Sequence, residues 1–302
     1  ALGWLDPRTA RPSPRAKPAA LRVFHDATYL DALEQAERTQ AVSAATRARH
    51  GLGTLSNPVF PEMFRRPATA AGGSLLAAEL AAGGGRVFNP GGGTHHGLPD
   101  RAAGFCYLND PVLALMRLRA LGLRRLAYVD IDAHHADGVE AAFAGTEGML
   151  LISTHEEGRW PFTGGLADDA GGVAINLPLP RGAHDGDFAH ALEALILPAV
   201  AEHRPEAIVL QCGADAVRED PLSRLAWSNC SHARAVRALA AMAPGFVLLG
   251  GGGYNPWSVA RAWTRAWAEL AGHEVPARLP PEARAVLAGL AWSHRLGREV
   301  PP

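Results

Sequence analysis

A stretch of acidic and imidazole side chains follows directly on an apolar run and has the residue types of a metal site. In Tyr128-Val-Asp-Ile-Asp-Ala-His-His-Ala-Asp-Gly-Val139, Asp130, Asp132 and His134 occupy alternate positions. If residues 126–131 form a β-strand, its period of two directs these three side chains to one side, where oxygen and nitrogen donors converge. A buried strand gives no structural reason for such an ending. The spacing therefore predicts a metal-binding site.

Three further segments with reactive side chains also follow apolar runs: Gly91-Gly-Gly-Thr-His95-His96, Gln211-Cys-Gly-Ala-Asp215 and Gly250-Gly-Gly-Gly-Tyr254. Asp132, His134 and Asp215 together offer two carboxylates and one imidazole. Such a set leaves coordination positions open for water and substrate, as a catalytic metal requires, and it suits zinc or ferrous iron. The metal would polarise a carbonyl group and lower the pKa of a bound water.

Each part of this constellation also has a simpler structural interpretation. A His95-His96 pair alone is usually surface or capping chemistry, and Asp215 alone is more often a helix N-cap. Tyr254 alone could be a core aromatic, although four preceding glycines make a poor packing environment for one. The combination with the Asp-x-Asp-x-His pattern favours the chemical interpretation, with a phenol donor aimed into the same crevice.

The elements that would position these residues are indicated by apolar runs that alternate with helix-compatible segments. The runs lie at residues 85–89, 125–132, 149–154, 206–212 and 244–250. This alternation predicts βα units, and hence an α/β fold with a mainly parallel β-sheet flanked by helices. In such a sheet the carboxyl ends of the strands form the ligand crevice, which is where the glycines and the reactive side chains fall.

Helices are predicted at residues 110–121, 185–203, 257–271 and 281–296. Asp110 and Asp185 are the expected N-caps of the first two. No internal repeat and no Gly/Ser linker divides the chain. We therefore predict a single catalytic domain over residues 23–302, preceded by a proline-rich N-terminal arm over residues 1–22, where four prolines disfavour regular structure.

Composition limits the classes of partner. The formal net charge of −1 and the pI near 7.0 give no broad basic field for a phosphate backbone, so direct nucleic-acid binding is not expected. Cys106, Cys212 and Cys230 have no C-x-x-C spacing and suggest neither a disulfide framework nor a thiolate zinc site. With no long apolar span and no secretory pattern, the sequence predicts a soluble protein of the reducing cytoplasm without a membrane partner.

Four motifs resemble those of the zinc-dependent histone deacetylase superfamily, especially its bacterial acetoin-utilisation and acetylpolyamine-amidohydrolase-like members. They are Asn57-Pro-Val-Phe-Pro-Glu-Met63, Gly104-Phe-Cys-Tyr-Leu-Asn-Asp110, Asp137-Gly-Val-Glu-Ala-Ala-Phe143 and Gly250-Gly-Gly-Gly-Tyr-Asn255. The resemblance begins at about Phe24 and covers most of the chain. It implies the arginase/deacetylase fold and an amidohydrolase that acts on linear amide bonds.

The resemblance also implies roles for individual residues. The zinc ligands, with ferrous iron as an alternative metal, would be Asp132, His134 and Asp215. His95 and His96 match the tandem histidines of the family, and Asp130 and Asp137 match their carboxylate partners. A carboxylate on the far ring nitrogen fixes the tautomer, so His96 is expected to be general base and acid and His95 its electrostatic partner. Tyr254 would stabilise the oxyanion.

A substrate tunnel and monovalent cation sites are implied as well. Phe105 and Trp160 match the aromatic walls of the family's acyl-lysine tunnel, and Leu222 lies where some polyamine-selective relatives carry an acidic residue. The expected substrate contacts are Gly104, Phe105, Trp160, Leu222 and Gly252. Potassium or sodium is expected at one site with Asp130, Asp132, His134, Ser153 and Thr154, and at another with Phe143, Thr146, Met149 and Val173.

Two departures from the family pattern concern the rim of the tunnel. Relatives usually begin with a strand and an extended loop, which residues 1–22 are too short to replace, so either the chain is trimmed or this member has a reduced rim. Ser56 stands where many relatives carry an aspartate that grips the substrate backbone. These departures favour removal of an acetyl or other acyl group from a small-molecule amide or a loosely held acetyl-lysine. A homo-oligomer is possible.

Two other functions remain open. One is an arginase-type ureohydrolase, whose Asp-Ala-His-x-Asp signature overlaps the segment that begins at Asp132, although Gly213 stands where the carboxylate for a second metal would lie. The other is a catalytically silent member that binds acylated ligands or acts as a scaffold. Such chains normally lose a ligand, the histidine pair or the tyrosine, and this chain retains all of them.

Overall fold

One parallel β-sheet organises the protein. The computed structural model describes residues 3–289. Its strands are β1 (Arg86–Asn89), β2 (Leu126–Asp130), β3 (Met149–Glu156), β4 (Ala174–Leu179), β5 (Ala207–Gln211) and β6 (Gly245–Leu249). Their order across the sheet is β1-β6-β5-β2-β3-β4, and every neighbouring pair is parallel. The predicted α/β fold with helices on a parallel sheet is confirmed.

Helices flank the sheet and connect its strands. They are α1 (Pro18–Leu21), α2 (Ala27–Thr39), α3 (Ala44–His50), α4 (Arg65–Ala82), α5 (Asp110–Ala120), α6 (Asp137–Phe143), α7 (Asp185–Ala191), α8 (Leu197–His203), α9 (Asn229–Leu239), α10 (Pro256–Ala271) and α11 (Pro281–Ala288). A π-helical turn, Leu192–Ile196, joins α7 to α8, so the helix predicted at residues 185–203 is one continuous helical stretch. The predicted continuation of the last helix to residue 296 lies outside the described residues.

Strand β4 has no counterpart among the five predicted strands. It forms one edge of the sheet and pairs only with β3. Pro178 lies within it, and a proline has no backbone N–H to donate to a neighbouring strand. An edge position tolerates that loss, whereas the sequence pattern treats the proline as evidence against a strand.

Both predicted N-caps are wrong by one residue. Asn109 caps α5, where its Oδ1 accepts from a backbone N–H 3.0 Å away, and His184 caps α7 as part of a capping box. The carboxylates make longer-range contacts instead. Asp110 accepts a hydrogen bond from the Gly93 N–H at 3.0 Å, and Asp185 accepts from the N-cap and first turn of α9. Each carboxylate therefore connects two segments of the fold.

Residues 3–17 form no helix or strand but pack against the rest of the protein, and the short helix α1 follows them, so the predicted irregular arm ends before residue 22. The Ala16 N–H donates to the Ala68 carbonyl on α4 at 2.8 Å. Trp4 stacks on His273 with ring centroids 5.5 Å apart, and its carbonyl accepts from Trp267 Nε1 at 3.1 Å. The division of the chain at residue 22 stays a prediction.

The central strands β2, β5 and β6 are buried along their whole length. Helices cover both faces, as is usual for a parallel sheet. The carboxyl ends lie in register, with Asp130 beside Gln211 and Gln211 beside Leu249. The segments that follow these three strands therefore meet at one edge of the sheet.

Two other sequence expectations concern cysteines and membranes. Cys106, Cys212 and Cys230 are all free thiols. Across residues 3–289, no helix combines the length and the apolar character needed to span a bilayer.

Candidate active site

Asp132, His134 and Asp215 each bring one ligand atom to a common point at the carboxyl ends of β2 and β5. These atoms all lie within 4.8 Å of one another. His134 Nδ1 is 3.1 Å from Asp132 Oδ1 and 3.0 Å from Asp215 Oδ2. Both carboxylates are buried. The structure thus brings the three predicted ligands together.

Hydrogen bonds orient the two carboxylates toward this point. Asp132 Oδ2 accepts from Gln211 Nε2 at 2.8 Å and from the Gly252 N–H at 2.9 Å. Asp215 Oδ1 accepts from the Ala133 N–H at 2.9 Å. Because these bonds occupy one oxygen of each carboxylate, the other oxygen of each faces His134 and the shared centre.

The donor set fits a divalent metal ion. Burial, reinforced by the negative charge of Asp132, raises the pKa of Asp215 to about 6. Burial opposes a charge on His134, but the two carboxylates outweigh it and raise the pKa of His134 to about 10. The raised pKa values of Asp215 and His134 both mean that a positive charge between the carboxylates stabilises this buried centre. Two oxygens and one nitrogen are suitable ligands for zinc and leave positions open.

Gly252 allows the backbone to form one wall of the centre. A Cβ at this position would lie 2.2 Å from Asp215 Oδ2 and 3.0 Å from Asp132 Oδ2. No larger residue fits without moving a predicted ligand. The glycine-rich segment after β6 therefore contacts the metal donors directly, while the predicted substrate contact of Gly252 stays a prediction.

His95 and His96 lie side by side, with their Nε2 atoms 2.9 Å apart. His95 Nδ1 is 2.7 Å from Asp130 Oδ2, and His96 Nδ1 is 2.6 Å from Asp137 Oδ1. Because a carboxylate only accepts, each Nδ1 carries a proton. The contact between the Nε2 atoms is then a hydrogen bond when one of them, and not both, is protonated.

The surrounding charges assign that proton to His95. Burial disfavours its charged form, but Asp130 and Asp132 outweigh burial and raise the pKa of His95 to about 9. Burial and the adjacent His95 charge lower the pKa of His96 to about 4. A cationic imidazole therefore stands next to a neutral one.

Two residues behind the site have no role in the sequence prediction. The Tyr128 hydroxyl donates to Asp130 Oδ2, the same oxygen that faces His95 Nδ1. Gln211 holds Asp132, as described above. Strand periodicity could have found both, because Tyr128 shares a face of β2 with Asp130 and Gln211 is a polar residue that ends an otherwise apolar strand.

Tyr254 follows the glycine-rich segment and lies near Phe105, with ring centroids 5.8 Å apart. Its backbone N–H donates to Asp220 Oδ2 at 2.6 Å, and burial together with Asp215 raises the pKa of Asp220 to about 7. Burial and the charge of Asp215 also hold the pKa of the Tyr254 phenol well above its ordinary value. The phenol therefore keeps its proton and can donate a hydrogen bond at neutral pH.

Phe105 and Trp160 are large aromatic side chains exposed beside the centre, at 49% and 39%. The Trp160 ring lies 4.6 Å from His96 and 6.4 Å from His134 between centroids. Gly104 allows this approach, since it has a φ of +51° and a Cβ there would lie 2.5 Å from Trp160 Cη2. The structure thus places both predicted wall residues next to the predicted catalytic residues.

Leu222 is related to the site less directly. Its carbonyl accepts from Arg159 Nη1 at 2.6 Å and its N–H donates to Asp220 Oδ1 at 2.9 Å. These contacts connect it to the residue that holds the Tyr254 backbone. Its predicted contact with substrate stays a prediction.

The predicted cation positions fall in two places, one beside Asp130 and one around residues 143–149. At the first, Thr154 Oγ1 donates to the Asp130 carbonyl at 3.3 Å, and Ser153 Oγ lies 3.0 Å from His155 Nδ1. At the second, three carbonyl oxygens already accept one backbone hydrogen bond, those of Phe143, Thr146 and Val173. Each of these carbonyl oxygens keeps a second lone pair that is free to ligate a cation. The contacts therefore neither support nor exclude a cation, and both sites stay predictions.

Comparison with known proteins identifies similar chains. A model of the histone deacetylase domain matches residues 3–270. The chain is 34% identical over 276 residues to the acetoin utilization protein AcuC of Bacillus subtilis (strain 168), which covers 87% of this chain and 71% of that protein. It is 37% identical over 272 residues to histone deacetylase 6 of Arabidopsis thaliana, with coverages of 85% and 56%.

Solved structures give the same result. The crystal structure of an HDAC homolog from Aquifex aeolicus superposes with a TM-score of 0.89 at 38% sequence identity, over 95% of this chain and 79% of that chain. A crystal structure of an HDAC homolog complexed with SAHA matches with the same score, identity and coverage.

Proposed function

The chain belongs to the histone deacetylase family, and we propose that it is a zinc-dependent deacetylase that hydrolyses the amide of an acylated amine. Family membership supports a metal-dependent enzyme that cleaves acetyl-amide bonds. The proposal of a zinc-dependent reaction rests on one observation, which is that two sets of residues share one location. The three metal donors and the His95-His96 pair meet at one end of the sheet, and Tyr254 is close enough to them that the charges of Asp215 and Asp132 raise the pKa of its phenol.

Zinc held by Asp132, His134 and Asp215 would supply a Lewis acid for the amide carbonyl and lower the pKa of water. His96 would take the proton from the attacking water at its Nε2, which exchanges its hydrogen bond from His95 for one from the water; its ring is neutral and lies 6.1 Å from that of His134 between centroids. Asp137, bonded to its Nδ1, stabilises the imidazolium that forms. His96 then returns the proton to the leaving amine.

Tyr254 and His95 complete the proposed machinery. The Tyr254 hydroxyl, which remains protonated, donates to the carbonyl oxygen as negative charge develops on it. His95, held as a cation by Asp130, contributes positive charge next to the base. The products are an amine and a carboxylic acid.

The rim supports a small-molecule amide or a loosely held acyl-lysine as substrate. Phe105 and Trp160 offer an apolar slot that suits the methylenes of a lysine-like chain. Leu55, next to the neutral Ser56, is 98% exposed, and Phe162 is 74% exposed. Ser56 precedes Asn57, whose Oδ1 accepts from the Phe105 N–H at 3.0 Å, and it has no charge with which to hold a peptide backbone.

One observation weighs against an arginase-type reaction. A Cβ at Gly213 would lie 2.1 Å from Asp132 Oδ2, so the carboxylate that a second metal needs has no room there. Within residues 3–289, Asp132, His134 and Asp215 are the one group of acidic, histidine or cysteine side chains whose donor atoms converge closely enough to hold a metal. A single metal is the expectation for a deacetylase.

A substrate panel on metal-reconstituted protein tests the proposal. The protein is treated with a chelator, reloaded with Zn²⁺ or Fe²⁺, and assayed for released amine with acetyl-lysine peptides, acetylpolyamines and small aromatic acetamides. We expect hydrolysis that the chelator abolishes and Zn²⁺ restores, and that Asp215→Asn lacks. Tight SAHA binding without turnover of any substrate would indicate a silent binder, and urea release from a guanidino compound would indicate a ureohydrolase.

A further inference from the structure

A polar cluster beside the metal centre joins the ligand segment to the loop that carries Trp160. We propose that His135 is a positioning residue that fixes the Trp160 wall relative to the metal ligands. Glu140 orients the His135 ring, and the ring in turn holds Thr163 in the loop that carries Trp160. The inference rests on the proposed function insofar as Trp160 is taken to line the substrate site. It assigns to His135 a task separate from that of its neighbour His134.

The side chain of His135 is 2% exposed and is bonded on both sides. Its Nε2 lies 3.1 Å from Glu140 Oε2, and its Nδ1 lies 2.8 Å from Thr163 Oγ1. Because the carboxylate only accepts, Nε2 carries the proton, and in the neutral ring Nδ1 accepts from the Thr163 hydroxyl. Asn176 Nδ2 donates to the same Glu140 oxygen at 2.7 Å and holds the carboxylate in place.

A second histidine holds the same part of the loop. His155 Nε2 lies 2.8 Å from the Gly164 carbonyl, and the His135 and His155 rings are 4.9 Å apart between centroids. Gly164 has a φ of +79°, and a Cβ there would lie 2.6 Å from the His135 ring. The loop backbone at residues 163–164 therefore lies directly against the two imidazoles.

The Trp160 side chain does not pack in the hydrophobic core, so core packing does not fix its position. It is 39% exposed, and the next aromatic residue, Phe162, is 74% exposed. The inward contacts of the indole are with His96 and His134, both part of the proposed catalytic centre. The indole also lies against Gly104, which has no side chain to hold it. The ends of its loop are therefore the remaining contacts that can fix its position relative to the metal ligands.

The two ends of this loop are held differently. Before Trp160, Arg159 pairs with Glu156 at 2.6 Å and donates to the Leu222 carbonyl. After it, Thr163 is held by His135, the residue adjacent to a metal ligand. The first tie reaches the ligand segment through the backbone, where the Glu156 N–H donates to the Ala133 carbonyl at 3.0 Å, whereas the second joins the loop to it through side chains. Loss of the second tie should therefore move the tunnel wall while the metal donors stay in place.

Thr163 offers the cleanest test because its side chain is exposed and its replacement does not threaten folding. Thr163→Val removes the hydroxyl and keeps the shape, and Thr163→Ser keeps the hydroxyl. With zinc-loaded protein and an acyl-lysine substrate, we expect Thr163→Val to raise KM about 3- to 10-fold with kcat within about 2-fold, as for lost uniform binding. Thr163→Ser should restore the wild-type KM.

A double-mutant cycle separates positioning from a purely structural role. If Thr163 acts through Trp160, Thr163→Val should cause no further rise in KM in a Trp160→Ala background. Additive effects, or a wild-type KM for Thr163→Val alone, would overturn the proposal.

A readout without turnover keeps the inference separate from the proposed function. In zinc-loaded protein labelled with 5-fluorotryptophan, the ¹⁹F resonance of Trp160 is assigned from its loss in Trp160→Phe. We expect Thr163→Val to shift or broaden that resonance and Thr163→Ser to leave it unchanged. An unaltered Trp160 resonance in Thr163→Val would overturn the positioning role, whereas a wild-type protein that hydrolyses no amide would overturn only the proposed function.

Discussion

The imidazoles of His95 and His96 share a single proton across a 2.9 Å contact between their Nε2 atoms. Their carboxylate partners are unequal, which makes the pair asymmetric. Asp130 is fully buried and also accepts a hydrogen bond from Tyr128, whereas the side chain of Asp137 is 24% exposed. The asymmetry gives two chemically similar residues different charges, and several expectations follow from it.

Removal of the Tyr128 hydroxyl should raise the pKa of His95 further. In Tyr128→Phe, Asp130 loses one donor, so its negative charge acts more strongly on the His95 imidazolium. The measurement is a pH titration of the ring nitrogens by NMR in metal-free protein. Tyr29→Phe is the matched control, because Tyr29 is equally buried but donates to a backbone carbonyl. A lower His95 pKa in Tyr128→Phe would contradict the hydrogen-bond assignment.

Tyr254→Phe should lower kcat/KM by about 10²–10³, the usual effect of losing one oxyanion donor. Affinity for Zn²⁺, measured by competition with a chelator, should not change, because the phenol is not among the metal donors. Full turnover by this variant would show that Tyr254 is not the oxyanion donor.

Gly252→Ala should weaken zinc binding by about 10- to 100-fold, in the range of changes to residues that orient metal ligands. The new Cβ would fall 2.2 Å from Asp215 Oδ2 and must displace that carboxylate. Gly91→Ala is the control, because the nearest atom to a Cβ there is 3.7 Å away. Equal zinc affinities for the two variants would show that the centre adapts to the methyl group.

The stability of metal-free protein should fall on both sides of about pH 6.5. His95 has a folded-state pKa of about 9, above the ordinary 6.5, so its stabilising contribution is complete below pH 6.5 and is lost as the pH rises toward 9. His96 has a folded-state pKa of about 4, so the folded state loses stability as the pH falls from 6.5 toward 4.

Bound zinc should counteract the loss of folding stability at alkaline pH, because His134 must lose its proton to ligate the metal. The difference in Tm between zinc-loaded and chelated protein should therefore widen from pH 6.5 to pH 9. Thermal scans at several pH values with and without chelator measure it. A difference that does not change with pH would indicate that His134 is not a metal ligand.

Strand periodicity and the parallel sheet explain why much of the site can be predicted from the sequence. Asp130, Asp132 and His134 alternate after an apolar run, and a parallel sheet gathers the ends of all its strands at one edge. The order of the strands across the sheet cannot be predicted in this way. The sequence does not show that β5 is the neighbour of β2, and it is this pairing that puts Asp215 next to Asp132.

Other features depend on contacts that no local pattern encodes. The anchoring of Thr163 by His135 requires the fold of a loop without periodicity, and Asn109 displaces Asp110 as a cap because that carboxylate binds a distant glycine segment. Strand β4 escapes prediction because its edge position makes a proline acceptable.

The last strand of the described part of the chain, β6, lies in the interior of the sheet between β1 and β5. While the ribosome is still making the chain, the strand that leads to His95 has no partner, because β1 pairs only with β6. Pairing of β2 with β5 brings Asp132 and Asp215 together without β6, whereas the strand that leads to the histidine pair joins the sheet only after residues 245–249 have emerged. A chain interrupted before β6 would leave β1 and β5 with open edges, and its metal donors would lack the histidine pair beside them.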